Sequence, residues 1–542
     1  MIAFPFKRMA FAALGLSGLA AAAAFAAPAK TVVAPYLEYQ QVVNADLSGD
    51  GDVVTYSTIA AGIDARVETR RVNGQVSYRY ERRIGWNDDL ADSDVHSGLA
   101  QIRAEVAKGV SLDAGALAAR ARSDGRGPAF GFNTADNDNI AEVYSLYAGP
   151  TVSTHVGGLD VGASYRLGYV KVDDHRIAGG APVARLDRYD SSVSHNANVS
   201  VGMRPGRLPV GWTVGAGYVR EDLNRLDQSF EGKYVRADVV VPVSPTLAVT
   251  AGVGYEHLES SQQDIRRDAA GLPIVTPGGR LVGDPSRPRL LAYEQSGVMW
   301  DAGVIYRPSR RTELQARVGR RYGGTSVTGS LSHQINGSYA VSASVYDSVS
   351  SFGRLVVSDL SGLPVNFRNN RNPLNGGIGG IGGCVFGSEA GTGGCFDDAF
   401  NSINTANFRN RGANILFSGG RGPWSMGVGA GYANRKYLVP ANTSTGSFIL
   451  NGVTDESFTL NGYVGRELSR TSSINFDAYA SWYNSGIAGA DGSFGTGISA
   501  SYYRTLFVDR LQGFAAVGLY TTESDNFDST SASALLGLRY NF

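Results

Sequence analysis

The connections along this chain alternate between short and long. Segments of about 9–14 residues with an apolar/polar alternation fill most of the 542 residues, and short links alternate with longer ones rich in Gly, Asp and Asn. We count ten short turns and eleven further links, one of which, Gly323-Gly324, is short where a long link is due. This pattern predicts about 22 strands, within a range of 18 to 22, joined in up-and-down order.

Each segment has two chemically different faces, because side chains of a strand alternate with a period of two. In LDVGASYRLGYV, residues 159–170, aliphatic and tyrosine side chains occupy one face and Asp, Gly, Ser and Arg the other. A sheet that crosses hydrocarbon must pair every backbone N–H and C=O group, so it cannot keep free edges. The fold class predicted is all-β, a transmembrane antiparallel up-and-down β-barrel with short periplasmic turns and long outer loops.

The first 26 residues have the features of a cleaved secretory signal peptide. Lys7 and Arg8 precede an apolar stretch, and Ala24-Phe25-Ala26 matches an A-x-A cleavage site. We therefore expect residues 1–26 to be removed and residues 27–542 to form the barrel. The formal net charge is zero, which does not support a nucleic-acid partner.

The final residues, LLGLRYNF, end in the middle of an apolar/polar alternation. This ending resembles the C-terminal strand of bacterial outer-membrane β-barrel proteins, of which porins are one group. The resemblance implies recognition of Tyr540 and Phe542 by the barrel-assembly machinery and location in the outer membrane, with lipid and lipopolysaccharide as neighbours. Both aromatic rings are expected in the periplasmic aromatic girdle.

A second resemblance concerns mainly the first 180 residues. The stretches APYLEYQQVVNADLSGDGDVVTYSTIAAGIDARVETRRVNGQVSYRYERRIGW and DGRGPAFGFNTADNDNIAEVYSLYAGP resemble an uncharacterised outer-membrane family associated with exosortase and exopolysaccharide loci. Members of that family are sometimes mislabelled as an auxiliary subunit of the preprotein translocase. The resemblance supplies no catalytic motif.

Charged residues share one face of three early strands. An Arg on a lipid-facing surface near the bilayer midplane would cost about 2–4 kcal/mol, so we expect these side chains to face the lumen. They could line an aqueous path or pair with one another. The lumen-lining candidates are Arg66, Glu68, Arg79, Glu81, Arg83, Arg103 and Glu105.

Cys384 and Cys395 are the only cysteines, and both lie in the longest link. In an exported protein two nearby cysteines are expected to form a disulfide. The chain reaches its first strand-like segment soon after the signal peptide, so an N-terminal plug has no room. We therefore expect loop 350–405, or else loop 260–292, to constrict the barrel, unless the strands divide into two smaller barrels or form a flattened one.

No motif for catalysis, a cofactor or a metal is found in the sequence. The six histidines form no zinc-protease spacing, and neither G-x-S-x-G nor a phosphate-binding loop occurs. We predict a porin-like channel for polar solutes or polysaccharide that is not an enzyme. The alternatives are a closed structural or assembly barrel that serves a surface-polysaccharide or secretion system, and an outer-membrane hydrolase.

Overall fold

The architecture is taken from a computed structural model. It describes residues 30–48, 53–86, 92–123, 125, 139–173, 189–206, 208–276, 281–369, 371–374, 383–440, 452–487, 492–506, 510–524 and 527–542. The predicted signal peptide lies outside the described residues.

Antiparallel strands make up most of the described chain. The strands are β1 Lys30–Asp46, β2 Val53–Glu68, β3 Val72–Gly85, β4 Ser93–Ala107, β5 Val110–Arg122, β6 Ile140–Val156, β7 Leu159–Asp173, β8 Ser191–Met203, β9 Gly211–Leu223, β10 Gln228–Pro242, β11 Leu247–Gln262, β12 Asp264–Ile265, β13 Gly283–Asp284, β14 Leu290–Ser309, β15 Thr312–Arg321, β16 Gly324–Gln334, β17 Tyr339–Ser350, β18 Cys384–Phe386, β19 Gly393–Cys395, β20 Asn407–Arg421, β21 Trp424–Leu438, β22 Thr454–Ser469, β23 Ser472–Asn484, β24 Ser493–Thr505, β25 Leu511–Ser524 and β26 Phe527–Asn541. The described residues also contain two α-helices, α1 Phe352–Gly362 and α2 Asp397–Phe400, and a 3-10 turn at Arg225–Asp227.

Twenty-two of these strands form one ring, which confirms the predicted strand number and the all-β class. Consecutive long strands pair with each other, and β26 returns to pair with β1 from Tyr36–Asn541 to Asp46–Ser531. The last strand is therefore held between two neighbours, β25 and β1. The short pairs β12–β13 and β18–β19 are separate hairpins inside the two longest loops.

The outward face of the ring is apolar. On the last strand Leu536, Leu538, Tyr540 and Phe542 are exposed, whereas Leu535 of the opposite face is buried. The same alternation recurs on β1, where Leu37 is exposed and its neighbours in sequence point into the ring. Among the described residues, neither helix has the length and hydrophobicity needed to cross a membrane.

The two ends of the ring differ in their connections, so we call them the short-turn end and the long-loop end. At the long-loop end the predicted loop 350–405 spans residues 351–406, and the predicted loop 260–292 spans 263–289. Residues 263–289 form a small sheet that bonds to itself and to the neighbouring turn at Leu226 and Asp227. Arg289 of this loop also bonds to Ser229 and Ser261 of the adjacent strands β10 and β11.

The exceptional short link at residues 322–323 leaves an interruption in the wall. Strand β15 pairs with β14 only from Trp300–Arg320 down to Ser309–Thr312, although β14 begins ten residues earlier at Leu290. The upper part of β14 therefore pairs with β11 on one side and has no described ladder partner on the other. Side chains fill part of this gap, with Arg321 Nε 3.0 Å from Glu256 Oε2.

Candidate functional site in the barrel lumen

Residues 351–406, here called the lumen loop, fold into the ring. The loop begins with α1, whose N-terminus is capped because Ser351 Oγ accepts a hydrogen bond from the Arg354 N–H at 3.2 Å. The apolar face of α1 packs against inward residues of β4 to β7 in the largest apolar cluster of the described chain. A Cβ on Gly168 of β7 would lie 2.8 Å from both methyl groups of Val357, so glycine lets the helix approach the wall closely.

Polar contacts also hold α1 to the wall. Arg354 Nε donates to Glu221 Oε2 at 3.1 Å, and the guanidinium lies 3.6 Å from the centre of the Phe230 ring. Burial lowers the pKa of Arg354, against the opposing effect of Glu221. At the other end of the helix, Gln101 Nε2 donates to the Leu360 carbonyl at 2.6 Å. The helix is thus anchored by apolar packing and by hydrogen bonds.

After α1 the lumen loop descends to the short-turn end of the ring. Gln75 lies three residues from the start of β3, and its amide makes two hydrogen bonds with the main chain of Phe367, at 2.8 and 3.1 Å. Arg371 Nη2 donates to Ser77 Oγ at 2.7 Å. Because β3 begins at a short turn, these contacts show that the loop extends inside the ring from the long-loop end almost to the short-turn end.

The next residues contact the strands on the other side of the closure between β1 and β26. Asn372 Nδ2 donates to Ser499 Oγ of β24 at 2.5 Å, and Tyr503 of the same strand donates to the Arg371 carbonyl at 3.1 Å. Leu374 is buried in a small apolar cluster with residues of β1, β2, β25 and β26, among them Tyr56.

A disulfide-bonded hairpin forms the next contact. Cys384 and Cys395 are bonded and lie opposite each other in β18–β19, with a Cα–Cα distance of 3.9 Å. A Cβ on Gly429 of β21 would lie 2.7 Å from both sulfur atoms. On the same strand, Gly427 accommodates the Phe386 ring, whose centre is 4.9 Å from that of Tyr463. The inward face of β21 is therefore shaped to receive this hairpin.

The lumen loop returns to the long-loop end through α2. Asp398 Oδ2 accepts hydrogen bonds from Tyr346 of β17 and Asn410 of β20, both at 3.2 Å. Burial raises the pKa of the Asp398 carboxyl, although both hydrogen bonds act in the opposite direction. Beyond α2, the buried Arg435 of β21 donates to the Ser402 carbonyl at 3.3 Å.

One sector of the lumen has no described hydrogen bond or ion pair with the lumen loop. It is lined by the inward faces of β8, β10 and β14 to β16 towards the short-turn end, and its residues are polar. Two arginines and two aspartates form a mutually paired group there, with N–O distances of 2.5 to 3.1 Å. We call this region the open sector; its polar residues include Asn196, Asn198, Arg236, Asp238, Asp301 and Arg317.

The sequence-predicted lumen residues fall into two groups. Arg79, Glu81 and Arg83 are buried and connected, with Arg83 Nε 2.7 Å from Glu81 Oε1, and Glu38 of β1 extends the network to Arg79 at 2.8 Å. The remaining four lie towards the short-turn end and are exposed: Arg66 and Glu68 pair with each other at 3.3 Å, Arg103 pairs with Asp113 at 2.5 Å, and Glu105 is exposed. The structure therefore brings together the first three and spreads the others along the rim.

Several lumen residues were missed by sequence reasoning. Gln75, Gln101 and Ser499 are ordinary strand residues in the sequence, and only the position of the lumen loop gives them a partner. The inward glycines Gly168 and Gly429 share the inward parity of their strands, but a strand glycine can also mark a bend or a bulge. Spacing alone could not have identified them.

No family model matches the chain, and no curated protein matches it either. Among solved structures, the FrpB iron transporter from Neisseria meningitidis matches at 10% identity with a TM-score of 0.45, over 94% of this chain and 82% of that chain. The ferric-catecholate import receptor Fiu from E. coli matches at 10% identity and a TM-score of 0.46, over 94% and 81%. The alcaligin outer membrane receptor FauA from Bordetella pertussis matches at 12% and 0.38, over 94% and 76%.

These similarities carry no argument about function, because the TM-scores are below 0.5 and about one residue in ten is identical. The resemblance of the first 180 residues to the exosortase-associated family has no support from these comparisons. The functional conclusions below therefore depend on the residues of this chain.

Proposed function

We propose that this protein is an outer-membrane β-barrel transporter for a small polar solute, gated by its own lumen loop. The observation that carries the proposal is the course of that loop. It starts at the long-loop end, bonds to Gln75 near the short-turn end and to Ser499 across the β1–β26 closure, and then returns. The inward faces of β8, β10 and β14 to β16 towards the short-turn end have no described polar bonds to it.

The membrane location is supported by the surface of the ring. Residues such as Leu536 on β26 and Val298 on β14 are 69% and 64% exposed, and lipid is the environment that favours them. The pairing of β1 with β26 removes the free edges that hydrocarbon would penalise. The apolar exterior and the pairing of β1 with β26 support the membrane location independently of each other.

A gate, as opposed to a permanent filling, is supported by the uneven attachment of the lumen loop. Helix α1 is buried in a large apolar cluster with the wall. Beyond Phe367, which belongs to the same cluster, Arg371 and Asn372 are held by hydrogen bonds to side chains of β3 and β24. Water can replace such bonds at a net cost of about 0.5–1.5 kcal/mol each. The segment that contains Arg371 and Asn372 can therefore leave the wall while α1 stays in place.

The chemistry of the open sector favours a small polar solute. Asn196 and Asn198 offer amide donors and acceptors, and the arginines and aspartates beside them neutralise one another. A steady wide pore for polysaccharide is less consistent with a lumen that the loop crosses. We therefore narrow the expected cargo to small polar molecules.

Single-channel conductance of the refolded protein in a planar bilayer tests the proposal. Wild type should show low conductance with rare openings. Gly429→Ala places a methyl group 2.7 Å from both disulfide sulfurs and should increase the open probability. Gly462→Ala is the matched control, because a Cβ there meets its nearest atoms at 3.7 Å.

A second candidate is the closed structural or assembly barrel. The buried ion pairs of Glu38, Arg79, Glu81 and Arg83 favour it, since paired charges fill space without lining a path. If neither the folded wild type nor the Gly429→Ala variant conducts ions, the closed structural or assembly barrel would be favoured. A steady, large conductance of wild type would contradict the gate itself.

A further inference from the structure

A serine, a histidine and a carboxylate lie together on the outward face of the ring, near its long-loop end. His257 and Glu259 are two residues apart on β11, so their side chains share one face. Ser296 of β14 is directly opposite His257 in the ladder. The Ser296 hydroxyl lies 2.6 Å from His257 Nδ1, and His257 Nε2 lies 4.0 Å from Glu259 Oε2.

This group lies at the upper edge of the apolar band. The next outward residues towards the short-turn end are Tyr255 on β11 and Val298 on β14, which are 55% and 64% exposed. The side chains of His257 and Glu259 are themselves 37% and 49% exposed. In a bilayer, the ester groups of lipids lie between the hydrocarbon core and the headgroups, and the change from apolar to charged outward side chains leads us to place Ser296 at that level.

We propose that Ser296, His257 and Glu259 form a catalytic site that hydrolyses carboxylic esters of outer-leaflet lipids. Nucleophilic catalysis by serine requires a base within hydrogen-bond reach, and a group that orients that base. Ser296 and His257 meet the first requirement in the tautomer that leaves Nδ1 unprotonated. Glu259 faces the other ring nitrogen, at a distance that a bound substrate must shorten.

The proposed hydrolysis proceeds in two steps, acylation of Ser296 and hydrolysis of the acyl-enzyme. Ser296 Oγ attacks the ester carbonyl carbon while its proton moves to His257 Nδ1, and the tetrahedral intermediate then expels the alcohol, which takes that proton. Water attacks the resulting acyl-serine, again with His257 as the base, and the fatty acid leaves as the proton returns to Ser296 Oγ. Glu259 is a positioning residue that stabilises the transient imidazolium.

Two features near Ser296 can stabilise the negatively charged oxygen of the tetrahedral intermediate, the oxyanion. Lys233 of β10 is directly opposite His257 on the other side, where its ammonium is paired with Glu231 and lies 5.9 Å from the centre of the Tyr218 ring. The described ladder between β14 and β15 begins only at Trp300, so the edge of β14 beside Ser296 faces no strand partner. Donors and positive charge placed where an oxyanion develops are the largest single contribution in many hydrolases.

The test uses refolded full-length protein in mixed micelles with a diacyl phospholipid, together with a fluorophosphonate probe. Release of fatty acid and a covalent adduct on Ser296, located by mass spectrometry, are expected. Ser296→Ala should abolish both, and His257→Gln should lower kcat about 10²–10⁴-fold with little change in KM. Glu259→Gln should lower kcat less and shift the pH profile of kcat, which a purely structural role would not do.

Thr312→Ala is the matched control. Thr312 Oγ1 lies 2.8 Å from His333 Nδ1 near the short-turn end, which reproduces a hydroxyl–imidazole contact away from this site. Its turnover should equal that of wild type. Absence of both fatty-acid release and the Ser296 adduct, in protein whose folding is verified by heat-modifiable electrophoretic mobility, would overturn the proposal. Turnover that persists in Ser296→Ala would overturn it as well.

Discussion

The two sides of the lumen differ in what their inward residues contact. Against the lumen loop, the wall presents apolar side chains and close-approach glycines, such as Gly168 beneath α1 and Gly429 beneath the disulfide. Between β8 and β16 it presents Asn198 and the paired Arg236 and Asp238, which are partly exposed. The same barrel architecture therefore supports a docking surface on one side and a polar, partly exposed sector on the other.

The largest change in conductance is expected when the central part of the lumen loop is removed. Replacement of residues 365–395 by a short Gly/Ser linker should convert low, intermittent conductance into a steady, large one, because a ring of 22 strands encloses a wide lumen. Planar-bilayer recording measures the change. Replacement of exposed residues 268–272 in the other long loop, as a control, should leave the conductance near wild type.

A smaller, energetic effect should distinguish buried from exposed ion pairs. Arg435 and Asp455 are each 2% exposed and lie 2.7 Å apart, so Arg435→Met leaves a buried carboxylate without its ion-pair partner, although the hydroxyls of Tyr437 and Tyr483 still donate to it. We expect a loss of about 3–5 kcal/mol in the free energy of unfolding from lipid vesicles in urea. Arg66→Met, whose pair with Glu68 is exposed, should change it by about 0–1 kcal/mol. Equal losses would contradict the distinction.

The disulfide should contribute less than the buried ion pair. Cys384 and Cys395 are separated by 11 residues, and a bridge of that span restricts the unfolded loop by about 3 kcal/mol at most. Cys384→Ser with Cys395→Ser should therefore loosen the hairpin against Gly429 and moderately increase the open probability. An unchanged open probability would show that the hairpin does not limit the gate.

The smallest effect concerns pH. The pKa of Asp398 is raised when the lumen loop is docked, so the protonated carboxyl favours the docked state. This contribution is complete below the ordinary carboxyl pKa and is lost as pH rises through the raised value. The open probability should rise with pH in this range, and Asp398→Asn should remove that dependence. A rise that persists in Asp398→Asn would assign it to another group.

Much of the fold could be predicted from the sequence because membrane strands obey a local rule. The alternation around Leu536 and Leu538 fixes which face meets lipid, and the parity of link lengths gives the strand number. The predicted lumen residues were less uniform. Arg79 and Glu81 lie in a buried network, whereas Arg103 is 61% exposed at the short-turn end. The period-two alternation predicts which face of the sheet a side chain lies on, but it does not predict how far along the strand axis the residue lies or which residue it pairs with.

The class of the fold, its strand number and its inward and outward faces follow from the amino-acid pattern alone, since each depends on neighbours within a few residues. The entry of residues 351–406 into the lumen and the position of Ser296 opposite His257 follow from the folded arrangement of the strands. Those contacts join residues that are far apart in the chain, for example Gln75 and Phe367. The register of the ring and the space inside it set such pairs, and no local pattern encodes either.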